Sequence, residues 1–403
     1  MKLKLEQRQR QQMKLKPQLV YAACLFAFGL TLGIIALINT ADVRTAAASN
    51  ETYYSIADGN WNDPQTWSTA GYEGTAATDF PRAGDMVYIK GNKIEVNDWS
   101  AACMSMNISG SESDETEVNI SGNKMLSITQ SLYLDNDCNG KNIEINLSGE
   151  SRAIVGVDLV VSHQTGESDI NINLIDKGSL TVVGNLLFDL EAEKGLIRLN
   201  TDDNTKFNLG GSLTMDNSTT EGQIICSFNG KSRIMVNNDI ETLATIRDMT
   251  WIELNENARL EMKGNFVRQP SPDDFGKIES FDNSTIVFSG EVIQTIPANQ
   301  NSTGEMNRLN NVVIKNNAAA PYQVELEGTT TIHKSLRIEL GVVKGFNDSG
   351  DNLVALNSTE QFINSQLTVA DGATYYESAL ARHPEYYNSV TKKSETMEQA
   401  EKD

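Results

Sequence analysis

The sequence predicts an all-β fold, a single right-handed parallel β-helix with a small amino-terminal capping module and a hydrophobic signal or anchor helix ahead of it. Three observations lead there. Short alternating strings of Ile, Leu and Val are broken every few residues by Gly, Asn, Asp and Ser, which is strand chemistry. Those strings recur at a near-constant step. A long uncharged stretch lies close to the amino terminus. The expected boundaries are residues 1–48 for the signal or anchor, 49–110 for the cap, 111–375 for the β-helix and 376–403 for a charged tail.

At the amino terminus Lys2, Lys4, Arg8, Arg10, Lys14 and Lys16 face only Glu6, and Leu19 to Ile38 then runs for 20 residues without a charge. As a helix that stretch is roughly 30 Å long, enough to span a bilayer and longer than the apolar part of most signal peptides. Ala46-Ala47-Ala48 suits signal peptidase, so cleavage and retention as a single-span anchor both stay open. In either case the basic flank holds the cytoplasmic side, and the rest of the chain is expected outside the cytoplasm, secreted or at the cell surface.

The 33 Lys and Arg stand against 54 Asp and Glu, a net charge of -21, which excludes a phosphate-tracking nucleic-acid footprint. With 39% hydrophobic residues the chain is neither disordered nor polytopic. Beyond the leader three cysteines remain, an odd number. Cys103 and Cys226 sit in alternating apolar strings, so buried free thiols are expected rather than a disulfide framework.

The repeat is visible in strings that begin at Ile145, Ile172, Ile197, Ile224, Ile252 and Ile286, at intervals of 27, 25, 27, 28 and 34 residues, with Val118 one step upstream and Val312 one step downstream. Each unit holds three strings joined by polar or Gly-Asn corners, as in Leu180-Thr181-Val182, Gly184-Asn185 and Leu186-Leu187-Phe188. One unit cannot bury its apolar face alone, whereas units stacked about 4.8 Å apart share a continuous core. A β-sandwich also suits strands at this spacing but does not explain why whole units repeat.

The third string often ends in Asp, at Asp135, Asp189 and Asp216, with Ser162 at the intervening place. Stacked carboxylates are candidate calcium ligands, and exposed turn positions are the alternative reading. No other cofactor is expected. The three histidines, His163, His333 and His383, are scattered in turns or the tail without zinc spacing, and no phosphate loop precedes a helix. For a polysaccharide lyase or hydrolase, Arg198, Arg233, Arg259 and Lys263 are the available bases, and Asp189 with Asp216 the available carboxylate pair. Asn-x-Ser/Thr sequons recur, several of them inside expected strands.

From Tyr54 the chain reads Ser55-Ile56-Ala57-Asp58-Gly59-Asn60-Trp61-Asn62-Asp63-Pro64-Gln65-Thr66-Trp67. Pro81-Arg82-Ala83-Gly84-Asp85-Met86-Val87-Tyr88-Ile89 comes next, then Ile94-Glu95-Val96 and a string bearing Cys103. This pattern, over about Tyr54 to Ile108, resembles the entry module of large secreted bacterial surface proteins related to the G8 domain. The stretch from Leu309 through Val343 looks like the β-helical rungs that come after such modules. The resemblance implies adhesin-like, carbohydrate-associated binding outside the cell. Trp61 and Trp67, six residues apart in a loop rich in Gly, Asn and Pro, are the candidate ligand-binding platform for sugar rings; the other reading is that they plug the open end of the helix. The expected function is therefore binding of an extracellular glycan, matrix component or surface protein without catalysis. A β-helix polysaccharide-degrading enzyme and a structural stalk are the alternatives.

Overall fold

The computed structural model describes residues 50–244, 249–268 and 276–296 continuously, and shorter segments between 300 and 376. Leu19–Ile38, Ala46-Ala47-Ala48 and residues 377–403 of the expected tail lie outside the described residues. Among the described residues no helix is long and apolar enough to cross a membrane.

The chain is a parallel β-solenoid of about eight turns. Each full turn contributes one strand to each of three sheets, as Thr116–Ile120, Met125–Ile128 and Leu132–Asn136 do before Ile143–Leu147, Arg152–Val155 and Leu159–His163 repeat the order. Numbered in that order, the first, second and third sheets have 9, 12 and 10 strands among the described residues. The strands form because polar and apolar residues alternate with period two: in Thr116–Ile120 the Thr, Val and Ile point inward and are buried, while Glu117 and Asn119 point out. One inward ladder runs Val118, Ile145, Ile172, Leu199, Cys226, Ile252 and Ile278, each in register with the next and each buried. Full burial of one such side chain is worth about 1.5–3 kcal/mol.

The register corrects the string alignment. Ile197 pairs with Ile170 rather than Ile172, and Cys226, not Ile224, pairs with Ile252. Ile286 and Val312 belong to the second sheet, in register with Leu260, while the strand after Ile252 on the first sheet is Gly276–Ser280. The uneven intervals of 25, 28 and 34 thereby become steady steps of 27 and then 26. Strings with two Ile positions two residues apart look alike from either position, which is why the slip is invisible in one dimension.

The corner between first and second strands repeats as well. Gly122, Gly149, Asp176, Gly230, Glu256 and Asp282 take positive φ there, between 51° and 71°, a left-handed turn that Gly and short polar residues accept most readily. Almost every strand pair is parallel, which removes the sandwich alternative. An exception lies at the amino-terminal edge of the third sheet, where Trp67–Ser68 pairs antiparallel with Thr52–Ser55. The sheets run through the expected 110/111 boundary, since Val87, Met106 and Leu132 stand in register on successive strands. Cys103 and Cys226 are buried free thiols, and burial pushes both far above the usual thiol range.

Candidate functional site

The two tryptophans are inside. Trp61 is 4% exposed and Trp67 0%, and their rings meet edge to face with centroids 5.2 Å apart. The Trp67 indole Nε1 donates to the Trp61 carbonyl at 2.8 Å, and Trp61 Nε1 donates to the Pro81 carbonyl at 3.0 Å. Both indoles spend their one donor within the chain, and neither offers a ring face to a sugar. The motif acids around them tie turns. Asp63 Oδ1 accepts from the Gln65 amide at 2.9 Å and caps the single turn Pro64–Thr66, and the Asp85 carboxylate accepts from the Glu51 and Arg82 amides.

A row of tyrosines, half-buried to exposed, lies instead on the outer surface of the third sheet. Tyr54 and Tyr88 are in register on neighbouring strands and stack at 5.3 Å with an 18° interplanar angle; Tyr72 meets Tyr54 edge-on at 5.2 Å. The same outward row continues through Asn107 to Tyr133, which is 43% exposed, and then to Val160 and Leu187. The Tyr72 hydroxyl is pushed up to about 12, chiefly by burial and then by Tyr54 and Tyr88, so it stays a neutral donor.

Beside that row runs a polar one. Ser109, Asp135, Ser162, Asp189 and Asp216 stand in register on five successive strands, the order expected with Ser162 between the acids. The carboxyls of Asp135, Asp189 and Asp216 are all raised, first by desolvation. Asp137 adds to this at Asp135, Glu191 and Asp216 at Asp189, and Glu191 at Asp216. One oxygen of Asp135, Oδ1, is shielded from solvent without a hydrogen-bond partner among the described residues. Among those residues no three His, Cys, Asp or Glu side chains converge as a metal ligand set. A calcium ion on this row would draw most of its six to eight oxygens from hydroxyls, backbone and water.

The groups considered for catalysis are divided between faces. Arg198 is on the first sheet, Arg233 and Arg259 are on the second with Lys263 just beyond it, and Asp189 with Asp216 is on the third. His163 is not in a turn: it ends the strand Leu159–His163 and is fully buried, and His333 lies within Thr330–Leu340. Of the sequon asparagines, Asn217 is buried with its Nδ2 donating to the Gly222 carbonyl at 2.9 Å, which closes it to a glycan in the folded chain.

The tyrosine row was legible in principle. Tyr88 sits between Val87 and Ile89 and Tyr133 between Leu132 and Leu134, so period-two alternation puts each ring outward. In comparisons with protein-family models, curated proteins and solved structures, nothing matches this chain significantly.

Proposed function

We propose that this is an exported cell-surface β-solenoid that binds an extracellular glycan along the outer surface of its third sheet. The observation that carries the reading is the outward row Tyr54, Tyr88 and Tyr133 beside the polar row Ser109 to Asp216. Flat apolar ring surface next to fixed hydroxyl and carboxyl groups is the surface chemistry a sugar chain requires. The basic leader and uncharged Leu19–Ile38 support export, with or without a retained anchor. The G8-like pattern of Tyr54 to Ile108 supports an adhesin-like role.

In this reading the coils are right-handed, the hand favoured by parallel strand connections, and residues 49–110 cap the amino-terminal end. The buried Trp61–Trp67 pair and the antiparallel edge strand support the cap, because they cover core and pair an edge that would otherwise stay open. Calcium, if it takes part, is recruited by the Asp135, Asp189 and Asp216 row together with the glycan.

The test is retention of the exported chain on a panel of insoluble polysaccharides, with and without calcium, scored together with release of reducing ends. Tyr133→Ala is expected to weaken retention by about two- to tenfold, the worth of one aromatic contact. Full retention by both Tyr133→Ala and Tyr88→Ala would remove this face from consideration. A glycan-cleaving enzyme is the second reading, favoured by the adjacent, raised carboxyls of Asp189 and Asp216. New reducing ends that disappear in Asp189→Asn would replace binding with hydrolysis.

A further inference from the structure

On the outer surface of the second sheet, charges that would normally be kept apart are stacked. Lys206, Arg233 and Arg259 stand in register on three adjacent strands, and Arg152 lies on the same row with only Ser179 between it and Lys206. Like charges directly opposite on neighbouring strands repel. Two corner lysines are placed the opposite way: Lys177 reaches Glu150 and Lys194 reaches Glu167, each at 2.9 Å and each one coil away. Among the described residues the row's ion pair is Arg259 with Glu261 at 3.3 Å, whose carboxylate also accepts from the Ser289 hydroxyl at 2.9 Å, and Glu150 lies near Arg152 at the far end of the row. Neither Lys206 nor Arg233 makes an ion pair among the described residues, on a chain whose net charge is -21.

The row borders a depression of about 430 Å³ lined by Lys206, Asn208, Arg233, Met235, Arg259 and Glu261. It therefore combines a concave floor, an amide, a thioether and a line of positive charge that Glu261 neutralises only at its Arg259 end. We propose that this groove is an anion-binding site that takes an acidic polysaccharide, laid across the coils with its carboxylate or sulfate groups on Lys206, Arg233 and Arg259. Neighbouring strands are about 4.8 Å apart, so successive cations are spaced on the scale of one sugar ring in an extended chain. Arginine forks suit carboxylate and sulfate alike. The net charge of -21 opposes every polyanion at long range, so recognition rests on short-range contacts inside the groove, and a phosphate backbone serves as the control. The site uses a different sheet from the tyrosine row, so either can fail without the other.

The experiment is affinity electrophoresis of the exported chain through gels containing a polyuronate, a sulfated glucan, uncharged dextran or single-stranded DNA, at low and high salt. Retardation by the polyuronate or the sulfated glucan, lost at high salt and absent with dextran, is expected, and the stronger of the two identifies the acid group. Arg233→Glu should weaken that retardation by about tenfold or more. Arg233→Gln, which only removes the charge of an exposed side chain, should weaken it less and lower the salt dependence by about one ion. Tyr133→Ala should leave it unchanged. The proposal is overturned if neither acidic glycan retards the protein more than dextran does, if the Arg233 variants behave as the parent, or if DNA binds as well as the glycans.

Discussion

The imidazole of His163 is fully buried near a tight approach: its Nε2 donates to the Ser168 carbonyl at 2.6 Å, and a Cβ added at Gly195 would come within 2.7 Å of the ring. Burial lowers its pKa below the ordinary 6.5, with the Ser168 bond opposing. The unfolded chain therefore takes up a proton near pH 6.5 that the folded chain refuses. The stability tied to this residue is complete above that pH and is lost as pH falls below it. The raised carboxyls of Asp135, Asp189 and Asp216 act in the other direction. Just above the ordinary Asp value of 3.8 the folded chain holds protons that the unfolded chain has released, so those groups favour the fold as pH drops through that range. His163→Gln is expected to flatten the loss of stability between neutral pH and pH below 6.5, read from urea midpoints across that range. An unchanged slope would assign the loss to other groups. Trp67 illustrates the same limit of sequence reading. Its spacing from Trp61 was legible, but whether the pair faces a sugar or the core is a property of burial, and Trp67→Ala is expected to cost about 3–5 kcal/mol in a denaturant titration.

At the scale of the strand, the outward row of the first sheet shows how neighbouring coils are locked in register. Asn146 donates to Asn119 at 2.9 Å, Asn173 to Asn146 at 2.8 Å, and Asn200 to Asn173 at 2.9 Å, and Asn119 in turn donates to Glu95 at 2.9 Å. Asn119, Asn146 and Asn173 each both give and receive, so the bonds align along the stack and reinforce one another. Asn146→Ala removes two of them and is expected to destabilise by about 1–3 kcal/mol. Asn146→Asp can accept from Asn173 but cannot donate to Asn119, and should cost at least as much above the carboxylate pKa. Both effects should appear as a shifted urea midpoint with an unchanged slope. A midpoint within error of the parent for Asn146→Ala would mean that water replaces the ladder at no cost. The Ile-x-Leu strings announced these strands, and Asn at the middle position of several announced the outward row. The pairing of Ile197 with Ile170 was not legible, because a shift of two residues preserves which face every side chain takes.

For the whole solenoid, stability is a sum over coils and the interfaces between them. Deleting residues 176–202 removes one 27-residue step from each of the three sheets and rejoins equivalent corner positions, since Ser179 and Lys206 are partners in register. The shortened chain is expected to unfold in one cooperative transition with a β-type circular dichroism spectrum and a lower Tm. A deletion of half that length moves inward residues onto the wrong sheets and should abolish the transition. If the two deletions behave alike, coils are not the units of stability.

By itself the sequence determined the class of structure and its period, because alternation within a strand and recurrence between coils are local quantities that a single unit already displays. It also determined which side of each strand is apolar, and with that the buried thiols of Cys103 and Cys226. Only the tertiary structure decided which rows lie side by side. Lys206, Arg233 and Arg259, like Tyr54, Tyr88 and Tyr133, are separated by a coil or more of chain and become neighbours only when parallel pairing brings successive turns together. The same pairing decided that Trp61 and Trp67 are core, since burial depends on what the rest of the chain packs around them.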